Sequence, residues 1–176
     1  MRFILTLHCE TDWNLEGILQ GHIDRDLHEF GRAHAHRKGV ALKEGPWHIV
    51  GIVSSDLKRG IQTAEIINEY LHVPHGINGG LRECGYGSLE GLSKKAIQLP
   101  AWNDSYEFYD YRRFGGESYG EVVRRQRDAF DAIASRYAVY DTLLVIGHGT
   151  SMNSLLLELN QPNLPIHRDE IRMLEY

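Results

Sequence analysis

The sequence predicts an α/β fold: a three-layer α/β/α sandwich around a mostly parallel central sheet. Three observations carry this. Residues 2–7 (RFILTL), 48–53 (HIVGIV) and 142–146 (TLLVI) are short apolar runs of the kind found in strands buried on both faces. Stretches with helical apolar spacing lie between them. Strands and helices therefore alternate along the chain, the order that builds parallel sheets covered by helices.

The elements follow in order. After the first strand, residues 31–42 form a helix with Ala33, Ala35 and Ala41 among polar positions. After the second strand, Ser54, Ser55 and Asp56 offer capping oxygens to a helix that runs to about Leu71. Ile61, Ala64, Ile67 and Tyr70 make its apolar stripe. Residues 76–100 are glycine-rich, anchored by Leu81 and Leu89, and read as irregular. Ser118 and Glu121 have capping-box spacing and open a helix carrying Val122, Gln126, Ala129, Ile133 and Tyr137. The third strand ends in Gly147-His148-Gly149-Thr150-Ser151 and turns into a helix over residues 152–160. Residues 171–174 read as a last strand.

The 176 residues suit a single domain, taken here as residues 1–176, with a sizeable core. Nineteen Lys and Arg against 24 Asp and Glu give a net charge of −5, which offers no electrostatic footprint for nucleic acid. No apolar run reaches the roughly 20 residues that span a bilayer, and the apolar start is too short for a secretory signal. Two cysteines, Cys9 and Cys84, cannot form a disulfide scaffold, so a cytoplasmic protein with reduced thiols is expected. A homodimer is compatible with this composition, which does not fix the oligomeric state.

Histidine is in excess, at 10 residues. Two of them share a setting: His8 follows the first strand and His148 follows the third. Ligands of open α/β sheets bind beyond the carboxyl ends of strands. Arg59 lies just after the second strand end. Two imidazoles, a guanidinium and helix N-termini converging at strand ends suit an anion, above all phosphate.

The residues around these positions resemble the histidine phosphatase superfamily, the phosphoglycerate mutase-like proteins. Leu5-Thr6-Leu7-His8-Cys9-Glu10-Thr11 with Trp13-Asn14 is similar to the family's opening signature. Gln20-Gly21, Asp24, Leu27 and Gly31 resemble its next segment, and Ser54-Ser55-Asp56-Leu57 with Arg59 and Gln62-Thr63-Ala64 its second signature. Leu81-Arg82-Glu83 with Gly87, Glu90 and Gly91, then Gly115-Gly116-Glu117-Ser118 and Gly147-His148-Gly149, complete the ordered set.

The resemblance implies a phosphoglycerate mutase-like sandwich and a phosphatase that works through a phosphohistidine. His8 is then the nucleophile, neutral at the attacking nitrogen, with its other nitrogen held by an acceptor. Glu83 protonates the leaving oxygen and later activates water; a partly desolvated pocket favours the neutral carboxyl that the first role needs. Arg59 clamps phosphate oxygens and His148 donates to them. Asn14, Gln20 and Gly21 match positions near the substrate phosphate, and Thr150 the position after the second histidine-glycine. No metal or other cofactor is implied, because cationic side chains neutralise the phosphate. The expected partner is a small-molecule phosphate ester, with no nucleic acid and no membrane. The short chain favours hydrolysis over phosphoglycerate mutase-type transfer.

The chain departs from the family's Arg-His-Gly at one conspicuous place, reading Leu7-His8-Cys9. A lost charge-assisted contact costs about 1.5–3 kcal/mol. A clamp acting in the transition state is worth on the order of 10²-fold in rate. Weakened turnover is one expectation, and a catalytically impaired member that binds a phosphorylated ligand or a protein is the alternative. Arg82, beside Glu83, reads as a solvated or structural arginine rather than a replacement charge. A cysteine-phosphatase loop is excluded, because the sixth residues after Cys9 and Cys84 are Leu15 and Glu90 rather than arginine. Cys9 adjoins His8 and Cys84 adjoins Glu83, so a disulfide or a soft-metal site with His8 or His148 is a lesser expectation beside two small buried hydrophobes. Trp102, Tyr106, Phe108, Tyr109, Tyr111 and Phe114, with Arg112 and Arg113, form either a substrate lid or an insertion packed on the core.

Overall fold

Five strands form one sheet in the order β3-β2-β4-β1-β5. The computed structural model describes residues 1–97 and 109–176. The strands are β1 (Arg2–Leu7), β2 (Ile49–Ser54), β3 (His75–Ile77), β4 (Thr142–Gly147) and β5 (Arg172–Glu175). β3, β2, β4 and β1 pair parallel in that order, and β5 pairs antiparallel with β1 at the edge. The helices are α1 (Asp12–Glu16), α2 (Glu29–Glu44), α3 (Lys58–Leu71), α4 (Tyr119–Ala134) and α5 (Gly149–Glu158).

Alternation along the strands sends side chains to two cores. Phe3, Leu5, Leu143 and Val145 face α4 and α5 and pack with Phe130, Ile133, Leu155 and Leu156. Ile4, Ile52, Leu144 and Ile146 face α2 and α3 and pack with Leu42, Ala64 and Ile67. Both faces are covered, so the apolar runs read as strands because each buries side chains in both directions. This is the expected three-layer sandwich.

Some local readings change. The helix after β2 begins at Lys58, with Leu57 as its N-cap and no side-chain cap bond. Its first amide is instead met from another segment, where Asp24 Oδ1 accepts from Lys58 N at 2.8 Å. Ser54, Ser55 and Asp56 are released for long-range contacts. His75–Ile77 forms the short strand β3, overlapping the stretch from residue 76 that reads as irregular, and Tyr137 falls beyond the end of α4. The capping box of Ser118 and Glu121 is present as expected. Among the described residues no helix is long and apolar enough to cross a membrane.

Candidate active site

Register builds the centre of the site. Leu7 pairs with Gly147, so the next residues, His8 and His148, leave adjacent parallel strands side by side. Their ring centroids are 5.0 Å apart. His8 N donates to Gly147 O at 3.0 Å, which carries the pairing one step past the strands.

The two rings are held as neutral tautomers. His8 Nδ1 lies 2.7 Å from the Cys9 carbonyl, which only accepts, so Nδ1 carries the hydrogen and Nε2 the lone pair. His148 Nε2 lies 2.6 Å from Ser55 Oγ. Ser55 has no other acceptor for its hydroxyl among the described residues, so it donates to Nε2 and leaves the hydrogen on Nδ1. His148 Nδ1 is buried and has no partner. Burial pushes the pKa of both rings well below the usual histidine value, and the Arg59 charge pushes further in the same direction.

This has a consequence for stability. The unfolded chain takes up protons at both histidines as pH falls through about 6.5, while the folded chain does not. The depressed groups therefore contribute stability above the unfolded value that is lost on acidification below it. The urea midpoint should fall between pH 7 and pH 5, by up to about 1.4 kcal/mol per pH unit for each histidine. A double His8→Asn, His148→Asn variant should flatten that fall; an unchanged slope in the variant would assign the pH dependence to other groups.

Arg59 is 1% exposed. Nη1 donates to Ile23 O at 3.0 Å and Nη2 to Gly21 O at 2.7 Å, while buried Nε has no partner. The guanidinium thus ties down the 21–23 turn and keeps its Nε–H, with a second N–H on each Nη, for another acceptor. Gly21 has φ +53°, and a Cβ there would lie 2.1 Å from Glu90 Oε1, so this turn requires glycine. Gln20 is also buried beside it, with Oε1 unpartnered.

Glu83 sits against the N-terminus of α5. Oε1 accepts from Cys84 N at 2.8 Å and Ser151 N at 2.9 Å, and Oε2 from Thr150 N at 3.2 Å. Three backbone amides thus converge on the Glu83 carboxyl group and fix its position at the start of α5. Thr150 also meets Tyr86 through their hydroxyl oxygens at 2.6 Å. Asn14 lies farther along the chain as part of the α1 cap, its Oδ1 accepting from Thr11 N at 3.0 Å. No described contact joins Asn14 to His8, Arg59, Glu83 or His148.

The other expected contacts sort themselves. Arg82 is held by Asp56 through two bonds, at 2.8 and 2.6 Å, and is structural. Cys9 packs with Leu27, Ala35 and Ile66, whereas Cys84 packs in a different cluster with Tyr86 and Tyr111, and both thiols are free. Among the described residues the donor set able to hold a metal is Cys9, Glu10 and His34, within 4.8 Å, and it contains neither Cys84 nor the site histidines. The Lys38 and Arg168 charges act on both Cys9 and Glu10, which opposes a cation there. Of the aromatic stretch, Trp102, Tyr106 and Phe108 lie outside the described residues. Tyr109 and Tyr111 stack at 5.3 Å on the core side, and Arg112 pairs with Asp110, as an insertion packed on the core would.

Three residues near the site were missed by sequence reasoning. Ser55 orients His148, although it was read as a cap. Lys38 is 3% exposed and donates to Thr6 Oγ1 at 2.7 Å and Leu7 O at 3.0 Å. Arg168, in the loop before β5, donates from Nε to His8 O at 3.1 Å. Neither cation lies in a motif, and only the tertiary fold brings them to the β1 end.

The sandwich, the histidine pair and the buried arginine define a class, and the comparisons agree. The chain belongs to the histidine phosphatase superfamily (branch 1), whose profile matches residues 3–172. It is 33% identical over 156 residues to the uncharacterized phosphatase PhoE of Bacillus subtilis, across 89% of this chain and 76% of that protein. It is 32% identical to a metal-independent phosphoserine phosphatase of Arabidopsis thaliana, across 90% and 68%. Bacterial 2,3-bisphosphoglycerate-dependent phosphoglycerate mutases match at 29–31% identity. Among solved structures, Bacillus stearothermophilus YhfR superposes with a TM-score of 0.84 at 28% identity, covering 98% of this chain and 89% of its own.

Proposed function

We propose that the chain hydrolyses a small-molecule phosphomonoester through a phosphohistidine on His8. The observation that carries this reading is the tautomer of His8: Nδ1 is bound to the Cys9 carbonyl and Nε2 keeps its lone pair beside His148. In the first step Nε2 attacks phosphorus, the P–O ester bond breaks, and Glu83 gives a proton to the departing alkoxide. In the second, water attacks phosphorus, Glu83 takes its proton, and the P–N bond breaks to restore Nε2. Arg59 Nε and His148 Nδ1, both lacking acceptors, donate to the non-bridging oxygens.

A second reading has its own observation. Leu7 is 4% exposed within the α4–α5 core, so the strand end offers no guanidinium there. A ligand-binding member with weakened chemistry would look like this.

Rapid-quench turnover of p-nitrophenyl phosphate tests both. The hydrolase reading expects a burst of nitrophenolate with an acid-labile, alkali-stable phosphoprotein. Native protein inactive across a phosphate-ester panel, with activity appearing in Leu7→Arg, would favour the weakened member. Phosphate returned to a second hydroxyl of the same molecule would instead mark a mutase.

A further inference from the structure

We propose that Arg168 is a phosphate clamp that supplies, from the loop before β5, the cation that the β1 end lacks at position 7. The proposal rests on the phosphatase reading for the identity of the anion. Its geometry starts from Leu7, whose side chain is committed to the apolar core with Phe3, Leu5 and Val145. No charge can reach the site from that position.

Arg168 approaches the same segment from the opposite end of the chain. It is half-buried, and its Nε donates to the His8 carbonyl at 3.1 Å. That bond fixes the guanidinium beside the nucleophile while leaving its terminal nitrogens unspent. Among the described residues neither Nη atom has a hydrogen bond, and Arg168 has no carboxylate partner. Arg82, Arg112, Arg125 and Arg172 differ, since each is ion-paired.

The surroundings agree with an anion site. Arg168 lies within electrostatic reach of His8 and also of Lys94, which in turn is within reach of Glu83. Its one fixed contact is to the nucleophile's own carbonyl. Arg59 spends one N–H of each Nη on Ile23 O and Gly21 O, which fixes its orientation and leaves Nε–H and the second Nη hydrogens. Arg59 and His148 reach the anion from the ends of β2 and β4, so neither supplies a donor from the β1 end. The free Nη edge of Arg168 completes the set, and a planar fork suits two phosphate oxygens.

The test uses the full chain and two readouts, one of which needs no turnover. Affinity for inorganic phosphate is measured by calorimetry, and kcat/KM with p-nitrophenyl phosphate, for native protein, Arg168→Gln, Arg168→Lys and the exposed-helix control Arg124→Gln. The clamp expects Arg168→Gln to weaken phosphate binding at least 10-fold and to lower kcat/KM on the order of 10²-fold. Arg168→Lys should recover part of both, and Arg124→Gln should match native. Phosphate affinity within 2-fold of native in Arg168→Gln would overturn the clamp, whether or not kcat changes. Native protein that binds phosphate but hydrolyses no ester would defeat the phosphatase reading while the binding arm still judges Arg168.

Discussion

Replacing His8 with alanine is expected to remove turnover of aryl phosphates, by on the order of 10⁴-fold or more, as loss of a covalent nucleophile does in other hydrolases. The fold should survive. His8 contributes its backbone N–H to Gly147 O, which alanine retains, and its ring makes one hydrogen bond, to its own neighbour. Arg59, His148 and Arg168 keep their anchors in the variant, since none of them is held by the His8 ring. Inorganic phosphate should therefore still bind within a few-fold of native affinity while the phosphoprotein disappears. Activity within 10-fold of native would mean that some other group attacks phosphorus.

Glu83→Gln should lower kcat by about 10²- to 10⁴-fold, the usual contribution of a positioned acid–base group. The dependence on leaving group gives the sharper readout. Nitrophenolate departs without a proton and alkoxides do not, so alkyl phosphates should lose far more than p-nitrophenyl phosphate in the first step. Glutamine also brings an amide donor against the amides of Thr150 and Ser151, which now donate to the carboxylate. The N-terminus of α5 loses an acceptor for one of its amides, and a cost of roughly 1–2 kcal/mol should appear in the urea midpoint. Equal losses for alkyl and aryl esters would assign Glu83 to holding α5 rather than to proton transfer.

The legible parts of the sequence were those whose cause is local. The runs of β1, β2 and β4 are mostly apolar because both faces are buried, and Ser118 with Glu121 announces α4 through a four-residue motif. β3 escaped because His75-Gly76-Ile77 is three residues long and carries no apolar run. Ser54, Ser55 and Asp56 were misread for a different reason. A hydroxyl or carboxylate after a strand can cap the next helix or reach a distant partner, and here the partners are His75, His148 and Arg82. His8, Arg59, Glu83 and His148 stood out because each occupies a motif at a strand or helix end. Arg168 stood in no motif; its position depends on the C-terminal loop folding back onto β1, which no local pattern encodes.

That reliance on distant segments sets when the protein becomes active during folding. His8 and His148 lie 140 positions apart in the chain, and they meet only once β1 and β4 have aligned in register. Contacts of such separation carry a large loop-closure cost and form late. A collapsed state with most of its helices but without that alignment would hold half a site on each strand and catalyse nothing. Regain of enzymatic activity should thus lag behind regain of helical signal on refolding, and the histidine pair acts as the molecule's own reporter that its two ends have closed.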